Sequence, residues 1–122
     1  MKIMMLVAHG SRNQAANDEV SRLAERVASL AQGDFDAVVP AFLELAEPDI
    51  HRGIERCAEM GASEIIVVPY FLAAGKHVTR DIPLELECAR SGYPHITIET
   101  PQYLGENSAM AELIIQCSRN TR

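Results

Sequence analysis

Apolar residues follow two rhythms along this chain, and the rhythms alternate. After Lys2 an unbroken apolar run, IMMLVA, reaches Ala8, the pattern of a strand buried on both faces. Beyond His9-Gly10-Ser11, residues Val20, Leu23, Ala24, Val27, Leu30 and Ala31 recur at helical spacing, with Asp18, Glu19, Arg22 and Glu25 opposite. This predicts a helix over 13–31, stopped by Gln32-Gly33-Asp34. A second strand is expected over 35–43. Pro40 lacks the ladder donor, so this strand belongs at a sheet edge or has its pairing broken there.

The alternation continues to the C-terminus. Pro48 suits a first helical position, and the helix over 48–60 is expected to bury Ile50, Ile54, Cys57 and Ala58 before Gly61. A third strand is expected over 65–68, ending at Pro69. The loop FLAAGKHVTRD then leads to a third helix over 83–90, entered at Ile82-Pro83. A short strand over 96–98 and a last helix over 108–118 complete the pattern. That helix is expected to bury Met110, Leu113, Ile114 and Cys117, with the final residues frayed.

Four βα units in succession predict an α/β fold, a four-stranded parallel sheet with helices on both faces and right-handed crossovers. The 122 residues suffice for one core and are short for two. No apolar stretch reaches about 18 residues, so no membrane span is expected. MKIMMLVA has no A-x-A cleavage site and is read as a buried strand, not a signal peptide. A net charge of −6 argues against nucleic acid as partner, which would need a basic face. It leaves room for an anionic small molecule held by local cations. Cys57, Cys88 and Cys117 form no C-x-x-C pair. They are expected as reduced thiols, mostly in the core, in a cytoplasmic protein.

In an open parallel sheet, ligands bind at the C-terminal ends of the strands. His9 follows the first strand, Glu44 the second, and the loop of Leu72, Ala73, Ala74, Gly75, Lys76 and His77 the third. His95 precedes the fourth strand and His51 is near a helix start, so both are expected off that edge. Two imidazoles and a carboxylate on one edge form an open divalent metal site and supply acid–base groups that titrate near neutrality. Arg12, Lys76 and Arg80 flank the histidines as a cationic rim or as solvated loop charge. The segment from Pro69 to Ala74 lines an apolar pocket or simply packs at the strand end. An anion-holding HGSR loop is a separate reading, although Ala8 stands where a histidine phosphatase has arginine. A serine hydrolase has no G-x-S-x-G elbow here.

Three segments carry a resemblance: VAHGSR (7–12), AFLELAEPDI (41–50) and VVPYFLAAGKHVTRDIP (67–83). They resemble the small form of the CbiX family of sirohydrochlorin cobaltochelatases, within a wider group of ferro- and nickelochelatases. The match runs in order through most of 1–90 and weakens after Tyr93. The resemblance implies a single chelatase-like, flavodoxin-related α/β/α domain over 1–122. It implies ATP-independent insertion of Co2+ into sirohydrochlorin in cobalamin biosynthesis, with Fe2+ or Ni2+ as alternative metals and no organic cofactor. It implies that His9 is a metal ligand and proton acceptor and that His77 is the second ligand. Glu44, Leu72, Ala73, Ala74, Gly75, Lys76 and His77 would contact the tetrapyrrole, and a homodimer would supply the half that larger relatives carry in one chain. A metal or tetrapyrrole carrier that lacks turnover would present the same site.

Overall fold

A computed structural model describes residues 1–121; Arg122, last of the expected domain, lies outside the described residues. The strands are β1 (Lys2–Ala8), β2 (Ala37–Phe42), β3 (Glu64–Pro69) and β4 (Thr97–Glu99). The helices are α1 (Gln14–Leu30), α2 (Ile50–Glu59), α3 (Ile82–Gly92) and α4 (Ala109–Arg119). All strand pairs are parallel, in the order β2-β1-β3-β4. This is the expected three-layer α/β/α class.

The side-chain alternation of β1 sorts the two faces. Ile3, Met5 and Val7 point to the buried core with Ile50, Ile54 and Cys57 of α2 and Ile82 and Leu86 of α3. Met4 and Leu6 face the side of α1 and α4. β2 is an edge strand, one of the two placements that Pro40 allows: among the described strands it pairs with β1 alone, and Pro40 stands opposite Leu6. The starts of α1 and α2 carry their own caps. Asn13 Oδ1 accepts from the Ala15 N–H at 3.0 Å, and Asp49 Oδ1 accepts from the Arg52 N–H at 2.7 Å. Pro48 therefore lies before the cap, not at the first helical position. Its carbonyl accepts from the Phe42 N–H at 2.9 Å and ties the loop back to β2.

Other expectations change as well. The third helix begins earlier than Ile82-Pro83 suggested, because His77–Asp81 already forms a π-helical turn closed by the Ile82 N–H on the His77 carbonyl. Pro83 has no N–H to bond back to Thr79, and a wide turn ahead of it accommodates the missing bond. The apolar stripe of α4 is not buried. Leu113 and Ile114 are 49% and 62% exposed, and with Met110 and Cys117 they form one wall of an open cleft of about 870 Å³. Leu23 and Val27 of α1 form the other wall and Met4, Leu6 and Val68 its floor. β4 has only three residues and α4 is tied in through the turn Leu104–Glu106, and among the described residues no segment fills the gap. Leu30 likewise faces solvent. Of the cysteines only Cys57 is in the core; Cys88 and Cys117 are exposed, and all three are free thiols. Burial pushes the Cys57 thiol up to about 11.

Candidate metal-transfer site

In the strand order β2-β1-β3-β4 the chain leaves β1 toward β2 and leaves β3 toward β4, in opposite directions. The crevice between the C-terminal ends of β1 and β3 is thus the topological switch point. His9 follows β1 and His77 closes the loop after β3. Their rings meet edge to face with centroids 4.8 Å apart, although the residues are far apart in sequence.

Backbone bonds carry each histidine there. The Tyr70 N–H donates to the Val7 carbonyl at 2.8 Å, and the Leu43 and Glu44 N–H groups donate to the Ala8 and His9 carbonyls at 3.0 and 3.1 Å. The connection after β2 therefore runs beside the end of β1 and delivers Glu44 to His9. His9 Nε2 lies 3.2 Å from Glu44 Oε1. On the other side of the ring, His9 Nδ1–H donates to the Gly10 carbonyl at 2.9 Å. A neutral ring protonated at Nδ1 turns a lone pair at Nε2 toward a carboxylate oxygen, two acceptors face to face. A proton or a metal cation between them resolves that contact.

His77 has a different partner. Its Nδ1 lies 2.8 Å from Asp81 Oδ2, across the π turn. The carboxylate only accepts, so Nδ1 carries a hydrogen, and in the neutral ring Nε2 holds the lone pair. The His77 hydrogen bond holds the Asp81 carboxyl below the usual carboxylate range, with Arg80 adding to the effect. Arg80 Nε lies 3.3 Å from Asp81 Oδ1. Phe71 packs on the core cluster, with its ring centroid 6.3 Å from that of His77. Both histidines are partly exposed, 43% and 42% by side chain, so the pair opens to solvent.

The rest of the expected site divides. Leu72, Ala73, Ala74, Gly75 and Lys76 form an exposed loop beside His77. Its end is pinned where the Gly75 carbonyl accepts from the Val78 and Thr79 N–H groups at 3.1 and 3.0 Å. Tyr70 and Leu72 line the apolar cleft toward α4, while Phe71 turns inward. Arg12, Lys76 and Arg80 are all exposed. His95 precedes β4 as expected. His51, expected off the site edge, lies in the first turn of α2, whose cap Asp49 bridges to Phe42 at the C-terminal end of β2. The topology therefore puts it toward the same edge, but its exposed side chain takes no part in the pairs at His9 and His77. Among the described residues, no three histidine, cysteine or carboxylate side chains gather into a metal-holding cluster. The donors on offer are His9 and His77, with Glu44 beside the first.

Two supporting residues were not legible in the sequence. Asn17 is a buried polar side chain, 4% exposed. Its Oδ1 accepts from the Ser11 N–H at 3.0 Å and its Nδ2 donates to the Ser11 carbonyl at 2.8 Å, which clamps the turn after His9. Asp81 is the other. Its signal was the four-residue spacing from His77, meaningful only if helical geometry already begins at His77. Among the described residues no helix is long and apolar enough to cross a membrane.

Comparison with known proteins identifies the family and the fold. The CbiX family model matches residues 3–121. A sirohydrochlorin cobaltochelatase of Methanopyrus kandleri is 43% identical over 83 residues, 68% of this chain and 57% of that protein. A sirohydrochlorin ferrochelatase of Priestia megaterium is 30% identical over 116 residues, 95% of this chain and 43% of its own. The chain thus spans about half the length of the curated relatives it matches. In three dimensions it superposes with a TM-score of 0.84 on the sirohydrochlorin chelatase SirB from Bacillus subtilis subspecies spizizenii, solved in complex with cobalt, at 32% identity, 98% of this chain and 50% of that one.

Proposed function

The chain belongs to the CbiX family, and from that premise we propose that it inserts Co2+ into sirohydrochlorin, without ATP, as a step of cobalamin biosynthesis. The observation that carries the proposal is the meeting of His9 and His77, 4.8 Å between centroids, at the switch point of the sheet. Relatives named for cobalt and for iron both match this chain. Fe2+ is therefore an alternative metal, the resemblance adds Ni2+, and imidazole donors do not choose among the three. The metal is substrate, and no organic cofactor is required.

The geometry supports the roles that the resemblance implies. His9 and His77 present nitrogen donors to the metal on an open edge. The macrocycle lies against the exposed loop of Leu72, Ala73, Ala74, Gly75, Lys76 and His77 and also contacts Glu44. Arg12 and Lys76 meet its carboxylates. As the metal enters, ring N–H protons leave; His9 accepts one and Glu44 assists. A site with two histidine donors and no closed cage suits an ion that must be handed on.

Within the same proposal, residues 1–122 form one chelatase domain that works as a homodimer in the cytoplasm. SirB holds as much chain again beyond the part matched here, which supports a second copy in that role. The cleft between α1 and α4 is lined by apolar side chains with no cation or carboxylate. That lining is wrong for a polycarboxylate and right for the apolar face of another protomer. Three free thiols fit a reducing compartment.

The test is anaerobic metallation of sirohydrochlorin, followed by absorbance, with Co2+, Ni2+ and Fe2+ offered separately to the native protein and to His9→Ala and His77→Ala. Turnover with Co2+, lost in both variants, is expected. A protein that binds cobalt yet never exceeds the uncatalysed rate would be a carrier instead.

A further inference from the structure

We infer that Asp81 is a positioning residue for the metal-donating His77, holding the imidazole in one tautomer and one orientation with Nε2 open to the incoming cation. This rests on the chelatase reading for its consequence in turnover, but not for its consequence in metal binding. The two histidines of the site are supported differently. His9 Nδ1 is bound to a neutral backbone carbonyl. His77 Nδ1 is bound to a carboxylate at 2.8 Å, a charge-assisted contact that is shorter and stronger than a neutral one. A neutral imidazole has one N–H, and a carboxylate can only accept it, so the bond to Asp81 places the lone pair on Nε2.

Asp81 is free for this task. It joins the π turn to α3 with helical backbone angles, φ −65° and ψ −48°, and its carboxylate makes no cap hydrogen bond to that helix. Both of its oxygens are engaged elsewhere: Oδ2 by His77 and Oδ1 by Arg80 Nε at 3.3 Å. Arg80 thereby limits rotation of the carboxylate, which in turn limits rotation of the ring. The π turn His77–Asp81 brings the two residues onto one side of the chain, and Phe71 stands beside the ring. A carboxylate behind a ligating histidine is a general device for fixing its tautomer and raising its donor strength, and its loss costs about 10–100-fold in metal affinity or activity.

The experiment compares Asp81→Asn, Asp81→Ala and Asp81→Glu with the native protein, each alone and with His77→Ala. Co2+ affinity is measured by calorimetry and by the visible ligand-field bands of bound cobalt; sirohydrochlorin metallation gives kcat and KM. Asp81→Asn and Asp81→Ala are expected to bind Co2+ about 10–100-fold more weakly with altered bands. Their kcat should fall while KM for sirohydrochlorin stays put, and Asp81→Glu should restore part of the loss. In the His77→Ala background the Asp81 changes should add nothing. Unchanged Co2+ affinity and bands in both variants would overturn the inference. So would an equal further loss in the His77→Ala background, or a loss that merely tracks a lowered melting temperature. Should the native protein bind Co2+ without turnover, the chelatase reading fails, and the affinity and band data still decide the role of Asp81.

Discussion

Gly10 lies so close to Glu44 that a Cβ built on the glycine would overlap the Glu44 carbonyl oxygen. Gly10 also has φ +95°, in the left-handed region that an L side chain rarely adopts. The same approach lets the Glu44 N–H reach the His9 carbonyl at 3.1 Å, so one glycine holds the loops of both residues together. Gly10→Ala is expected to lower stability by about 1–3 kcal/mol and metallation at least tenfold. Urea unfolding and the absorbance assay check it. A variant that matches the native protein in both would show that the loops do not depend on this contact.

Asn17 satisfies the N–H and the carbonyl of Ser11 from a buried position. Asn17→Ala leaves both without that partner, at a cost of about 1–3 kcal/mol. The turn after His9 should loosen, so amide hydrogen exchange at Ser11 should quicken along with the loss of stability. Unaltered exchange there would mean that the turn is held by other bonds.

Gly105 packs on the loop before His77: its N–H donates to the Phe71 carbonyl at 2.9 Å, and a Cβ on it would overlap the Leu72 carbonyl. Gly105→Ala must push that loop away. In the proposed reaction the loop contacts the macrocycle, so KM for sirohydrochlorin should rise several-fold with a smaller change in kcat. A fall in kcat alone would place the loop outside substrate binding.

Cys57 ionises near 9.0 as a free thiol and near 11 in the folded core. A raised folded value means that its contribution is fully present below pH 9 and is lost as pH rises through 11. Across that window stability should fall by about 3 kcal/mol. Denaturant midpoints from pH 8 to 11 measure this, and Cys57→Ala should flatten that part of the slope. An identical slope in the variant would assign the alkaline loss to other groups.

Ile114 is 62% exposed on the wall of the apolar cleft. If a second copy covers that wall, Ile114→Glu puts an unpaired charge in the interface. Light scattering should then report a monomer where the native protein is a dimer, with far-ultraviolet circular dichroism unchanged. A native protein that is already monomeric would remove the interface.

Much of the site was legible before the structure. Pro40 marked an edge strand because a missing donor has only a few tolerable places. Strand–helix alternation fixed a common direction for the strands, and that direction assigned His9, Glu44 and His77 to one edge. The start of the third helix was misread because Pro83 looks like a first helical residue, while the π turn before it has no hydrophobic period to announce it. The stripe Met110, Leu113, Ile114 and Cys117 marked the apolar face of α4 but not whether the chain has anything to set against it. Cys117 was misjudged for the same reason, whereas Cys88 lies off the face of α3 that buries Ile82, Leu86 and Ala89.

Sequence alone determined the order of elements, the parallel sheet and the edge on which the chemistry gathers. Each of these follows from short-range periodicity and from the handedness of L-residues. Only the tertiary structure decided that Glu44 faces His9 while Asp81 backs His77, that Asn17 clamps the first turn, and that α1 and α4 leave a cleft between them. Those outcomes depend on distances between segments that meet only when the chain closes on itself. A one-dimensional pattern records which side of each element is apolar, but not which atoms finally stand within 3 Å of one another.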